Sequence, residues 1–177
     1  MRNDLKCILI SKEEIAAKVE ELAKTLDADY KDKNPLVVCI LKGSVIFFTD
    51  IIQRMTIPLE IDFMAISSYG SGTTSGVVRF VKDLDTSITN RHVLIIEDII
   101  DTGNTLFYLK KILAERNPAS IKICTLLDKF ERREANITVD YKAFDIANEF
   151  VVGYGLDYSE KYRNLDEIGV LKPEIYE

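Results

Sequence analysis

The chain has 177 residues, 47% of them hydrophobic and 29% charged, with a net charge of −6. That length suits one domain with a sizeable core, and the composition is ordinary for a soluble globular enzyme. The acidic balance excludes a general nucleic-acid binder, which needs a basic face, but leaves room for a local basic pocket facing a phosphorylated substrate.

The N-terminal apolar run, Cys7-Ile8-Leu9-Ile10, is too short for a signal peptide, and no apolar stretch is long enough to span a membrane. A cytoplasmic protein is expected. The run itself is a short predicted strand. Ser11-Lys12-Glu13-Glu14 reads as a capping box, with Ser11 as N-cap and Glu14 reaching back. Ile15, Val19, Leu22 and Leu26 follow at helical spacing, predicting a helix to about residue 27. After a polar connection from Asp27 to Pro35, Leu36 to Leu41 is a continuous apolar strand broken by Lys42-Gly43-Ser44, and Val45 to Met55 reads as a buried helix.

Leu59 to Ile66 is the next predicted strand. Ser67 to Val77 is rich in Ser, Gly and Thr and cannot bury enough surface to hold itself, so a mobile loop or lid is expected there. Strands follow at Val78 to Val81 and at Val93 to Ile96, then a helix from Thr105 to Arg116. Further strands are predicted at Ile121 to Leu127, Tyr141 to Ile146 and Phe150 to Gly153. Alternating strands and helices predict an α/β fold with a right-handed, doubly wound parallel sheet. Cys7, Cys39 and Cys124 each sit in an apolar run and read as buried, reduced thiols. No metal-ligand spacing involves them or the single His92.

The segment richest in chemistry is Val93-Leu94-Ile95-Ile96-Glu97-Asp98-Ile99-Ile100-Asp101-Thr102-Gly103-Asn104-Thr105-Leu106. Carboxylates at the C-terminal end of a parallel strand lie where open α/β sheets bind ligands. The Thr-Gly-Asn-Thr turn can aim backbone N–H groups and hydroxyls at an anion, with a helix N-terminus behind them. Acids and an anion cradle together suit a ligand that carries both hydroxyls and a phosphate. Asp101 is either the N-cap of the following helix, a general base, or both. Asp-Thr-Gly also marks aspartic proteases, but those need a β-rich chain and a second such site or a dimer. Lys42-Gly43 is either a diphosphate cradle or a simple turn. Lys129 is either a donor to a ligand carbonyl or a surface lysine. Phe150 is either core or a stacking plate for a planar base. Asp157 is a candidate ligand for a hard cation, and Arg163 a candidate fork for phosphate.

These segments, spanning roughly residues 36 to 165, resemble the hypoxanthine-guanine phosphoribosyltransferase family in order and content. The resemblance implies a type I phosphoribosyltransferase sheet, with a hood formed by the N-terminal residues and residues from about 145 to 177, and a lid at Ser68 and Tyr69. It implies purine salvage: transfer of the phosphoribosyl group from phosphoribosyl diphosphate to N9 of hypoxanthine or guanine, giving IMP or GMP and diphosphate. Glu97 and Asp98 are then expected at the ribose hydroxyls and, with Asp157, at Mg²⁺. Asp101 is expected at purine N7, and Thr102, Gly103, Asn104 and Thr105 at the 5′-phosphate. Lys129, Phe150, Val151 and Asp157 surround the purine, while Leu41, Lys42, Gly43 and Arg163 hold the diphosphate.

The family often carries a cis peptide at the position matching Leu41-Lys42, and assembles as dimers or tetramers. Some members have Lys where this chain has Asn104, which affects phosphate affinity more than reaction type. The alternatives are a transferase preferring xanthine or guanine and, from a different class, a non-catalytic regulator on the same fold. A regulator needs a DNA-binding module or basic face that this chain does not offer.

Overall fold

The apolar runs become the two-sided strands of a central sheet. The computed structural model describes residues 1–68 and 78–176. Its elements are β1 (Leu5–Ile10), α1 (Lys12–Asp29), β2 (Leu36–Leu41), α2 (Val45–Arg54), β3 (Glu60–Ser68), β4 (Val78–Lys82), β5 (His92–Ile100), α3 (Asn104–Ala114), β6 (Ser120–Asp128), β7 (Tyr141–Asp145), β8 (Val151–Val152), β9 (Ile168–Leu171) and α4 (Pro173–Tyr176). Tyr69 and most of the expected lid lie outside the described residues. Ser68 ends β3, its backbone in register with Val78 of β4.

Six strands form the main sheet in the order β4-β3-β2-β5-β6-β7, parallel except for β4. Alternate residues of β2 and β5 serve opposite faces, as strand geometry requires. Val37, Cys39, Leu94 and Ile96 pack with α1 and α2, whereas Leu36, Val38, Ile40, Val93 and Ile95 pack with Leu106, Leu109 and Leu113 of α3. Both faces are therefore dry, which is why these strands read as unbroken apolar runs.

The Ser11 capping box forms. The Glu14 carboxylate accepts the Ser11 N–H at 2.9 Å, and the Ser11 hydroxyl accepts the Glu14 N–H at 3.3 Å. The helix expected from Thr105 to Arg116 runs instead from Asn104 to Ala114.

The remaining strands make a second, antiparallel sheet in the order β1-β9-β8. Its buried cluster of Val152, Tyr162, Leu165 and Leu171 is separate from the two main-sheet cores. Neither β9 nor α4 was expected, because Ile168–Leu171 is only four residues long and follows a polar stretch. Cys39 and Cys124 are buried as expected, but Cys7 is exposed, which corrects the reading of three buried thiols. The physical reason is its position: β1 is an edge strand of the small sheet, and Lys6 to Leu9 are exposed on both of its faces. No described helix is long and apolar enough to cross a membrane.

Candidate active site

Chain order reverses at the centre of the main sheet. From β2 the chain goes outward to β3 and β4, then returns to β5 on the other side of β2. Open α/β sheets bind ligands at this switch point, beyond the C-terminal ends of the strands. Here those ends are Leu41-Lys42-Gly43 and the Glu97-to-Thr105 segment, and a cavity of about 370 Å³ lies between them. Asp157 and Arg163 reach it from the second sheet's side. A second cavity of about 220 Å³ adjoins it, lined by Lys129, Phe150, Val151 and Leu156. Asp98, Ile99, Asp101 and Asp157 line both and form the partition.

The floor carries the adjacent acids of β5. Burial, reinforced by the neighbouring Asp98 charge, pushes the Glu97 carboxyl well above its ordinary value. Burial also raises Asp98, opposed by its hydrogen bonds and by the positive charge of Arg163. The Asp98 carboxylate accepts the Ile99 N–H at 2.8 Å. Glu97 Oε2 is buried without a hydrogen-bond partner among the described residues. The floor thus gathers two buried carboxyls with one oxygen left without a partner among the described residues, a state that a cation or ligand hydroxyls relieve.

Gly43 closes against this floor. A Cβ there would lie 1.6 Å from Asp98 Oδ2, so no side chain fits. The Leu41-Lys42 peptide is cis. Lys42 is exposed, with Nζ 3.2 Å from Glu160 Oε1. Arg163 donates to the Gly155 carbonyl at 2.8 Å and lies 2.8 Å from Asp157 Oδ1. Glu160 Oε2 also lies 3.4 Å from the Arg163 guanidinium, so Glu160 sits between the two cations, and Lys42, followed by Arg163, holds its carboxyl below the ordinary value. Glu160 escaped the sequence reading because it sits in an ordinary polar stretch.

Asp101 does not cap α3: Gly103, in the left-handed region at φ 78°, is the N-cap residue. The turn already has the conformation that glycine permits, so a side-chain cap is not used. Asp157 lines the same cavity as Glu97 and Asp98, where its oxygens face Arg163 and the Glu160 N–H.

Thr102, Gly103 and Thr105 line the larger cavity. The Asn104 side chain is instead engaged with Glu134, its amide donating at 3.1 Å. On the other side of the partition, buried Lys129 places Nζ 3.2 Å from Asp101 Oδ1. Phe150 stacks on Tyr176 with centroids 4.6 Å apart and meets Tyr158 edge-on at 5.6 Å. Tyr176 gave no sequence signal, since it lies in a four-residue helix after the last strand.

The arrangement suits a ligand with a planar heterocycle in the smaller chamber and a sugar with phosphates in the larger. Residues 9–159 match the model of the phosphoribosyl transferase domain family. A hypoxanthine-guanine phosphoribosyltransferase of Streptococcus thermophilus is 52% identical over 99% of this chain and 98% of its own length. One from Bacillus subtilis is 52% identical over 100% and 99%. The crystal structure of a hypoxanthine phosphoribosyltransferase from Staphylococcus aureus superposes with a TM-score of 0.97 at 50% identity, covering 100% of this chain and 97% of that one. With this site at the switch point of this sheet, the chain belongs to the hypoxanthine-guanine phosphoribosyltransferase family.

Proposed function

We propose that this protein is a purine-salvage enzyme, transferring the phosphoribosyl group of phosphoribosyl diphosphate to N9 of hypoxanthine or guanine to form IMP or GMP and diphosphate. The observation that carries the reading is the partitioned cleft, in which Asp101 stands between an acidic, glycine-bounded chamber and a chamber built from Lys129, Phe150 and Val151.

The ribose hydroxyls donate to Glu97, whose buried Oε2 has no partner among the described residues, and to Asp98 beside it. The Thr102-to-Thr105 turn takes the 5′-phosphate through backbone N–H groups and hydroxyls. Lys42 and Arg163 exchange the exposed Glu160 and the half-buried Asp157 for the diphosphate, whose charge outweighs that of a single carboxylate. Phe150, backed by Tyr176, supports the purine face, and Lys129 donates to the oxygen at C6. The Val151 backbone meets the pyrimidine edge, with Asp157 nearby. Asp101 takes the proton from purine N7 as N9 bonds to the anomeric carbon.

Mg²⁺ fits this donor set. It favours one or two carboxylates completed by substrate phosphate oxygens over a cage made by protein alone, and Glu97 and Asp98 offer the former. When bound it neutralises charge developing on the departing diphosphate. The enzyme works in the cytoplasm as a homodimer or homotetramer, with no nucleic-acid or membrane partner.

The test is nucleotide formation from phosphoribosyl diphosphate and Mg²⁺ with hypoxanthine, guanine, xanthine and adenine in parallel. Turnover of hypoxanthine or guanine with adenine inert is expected. Preference for xanthine would redirect the specificity, and no turnover of any base would overturn the enzymatic reading.

A further inference from the structure

The phosphate turn is held from behind by residues that line neither chamber. The Thr102 carbonyl accepts the N–H groups of both Glu134 and Ala135, each at 3.0 Å. A trans peptide points its C=O and N–H in opposite directions. Fixing the Thr102 carbonyl outward therefore aims the Gly103 N–H away from the 134–135 segment, toward the cavity that Gly103 lines. Gly103 itself rests on Arg133: a Cβ there would lie 2.9 Å from Arg133 Cδ and 2.9 Å from Ile137 Cγ2.

Arg133 is fixed in turn at its far end. Its guanidinium pairs with the Asp128 carboxylate and donates to the Ile137 carbonyl at 3.4 Å. The pair is secluded, with side chains 13% and 5% exposed. Asp128 ends β6 immediately before Lys129, so the same strand end anchors the purine-side lysine and the arginine behind the phosphate turn. A secluded ion pair is no better for stability than well-packed apolar groups, so its distinctive product is geometry, through a planar fork on a fixed acceptor. That geometry matters in this chain because Asn104 is engaged with Glu134. Backbone N–H groups and hydroxyls bind well only when aimed in advance.

We propose that Arg133, anchored on Asp128, is a positioning residue that sets the Thr102-to-Thr105 turn for the 5′-phosphate of the phosphoribosyl donor. The inference rests on the functional reading above. It is tested with the full chain carrying Asp128→Asn and Arg133→Met together, which removes both charges and leaves neither buried alone. The double variant is expected to melt within a few degrees of the wild type. Its KM for phosphoribosyl diphosphate should rise roughly tenfold, since small misplacements of binding groups are costly. Its KM for hypoxanthine should stay within about twofold of the wild type, because the purine chamber is left intact. Arg133→Lys, which keeps the charge and loses the fork, should fall between the two, and it carries the comparison alone if the double variant fails to fold.

Unchanged KM for the donor in a folded variant, or an equal rise for both substrates, overturns the assignment. Calorimetric titration with ribose 5-phosphate reads the turn without purine chemistry. If the wild type forms no nucleotide, the functional reading falls, yet weaker ribose 5-phosphate binding by the variant still supports the positioning role. Equal binding overturns that role, and absence of binding to the wild type overturns both.

Discussion

Gly43 and Asp98 compete for one space: the position of a Cβ on Gly43 is 1.6 Å from Asp98 Oδ2. The loop after β2 thus closes on a carboxylate of β5 with no room for a methyl group. Gly155 meets the Gly43 carbonyl from the other side, where its own Cβ would lie 2.0 Å from that oxygen. Gly43→Ala is expected to displace Asp98 or the Lys42 loop and to lower kcat/KM about 100-fold, as an ångström-scale misplacement does. The contact lies at the strand ends, outside the apolar clusters, so the variant should remain folded by circular dichroism. A folded variant with near wild-type kcat/KM would contradict the packing argument.

Asp101→Asn keeps the size of the side chain and removes its basicity. Loss of a positioned general base typically lowers turnover about 10²–10⁴-fold. The effect should fall on kcat, with donor KM little changed. Steady-state kinetics with both substrates varied separates the two, and an unaltered kcat would remove Asp101 from proton transfer.

Asn104→Lys puts a cation beside the phosphate turn in place of the amide that donates to Glu134. Donor KM should fall severalfold at low salt, and the gain should shrink as ionic strength rises, because screening weakens exposed charge. Measurement of donor KM across a salt series checks both statements.

Phe150→Leu removes an aromatic face while keeping an apolar side chain. Aromatic stacking contributes about 0.5–1.5 kcal/mol beyond area, so the KM for hypoxanthine should rise roughly 2- to 10-fold. Donor KM should be unaffected, since Phe150 lines only the smaller chamber.

Asp62 predicts a pH dependence of stability. Burial by itself raises its carboxyl, but the N–H groups of Asp85 and Phe63 and the Lys82 ammonium reverse this and hold it below its ordinary 3.8. A depressed folded value means that the stabilisation is present in full above the unfolded value and is lost as pH falls through the folded one. Asp62→Asn should therefore destabilise the protein at pH 7, by about 1–3 kcal/mol for lost charged hydrogen bonds. The gap from the wild type should narrow only below pH 3.8. Urea melts at several pH values measure it, and a gap independent of pH down to the acid limit would exclude the carboxylate as its source.

The sequence alone determined what depends on neighbours along the chain. Unbroken apolar runs mark strands dry on both faces, and Ser11 with Glu14 marks the start of α1, because those signals act within a turn or a strand. The run from Glu97 to Thr105 was legible for the same reason: its acids and its turn are consecutive. Tertiary structure alone decided what depends on which elements abut. It brought Gly43 against Asp98, set Asp157 beside Arg163 on the cavity that Glu97 and Asp98 also line, and left Cys7 exposed on an edge strand of the small sheet. It also placed Tyr176 behind Phe150, and Arg133 behind Gly103, by a contact spanning the whole of α3 and β6. Local patterns carry the free energy of single elements. The contacts that shape the cleft are made between residues far apart in the chain, and they exist only once the strand order has been set.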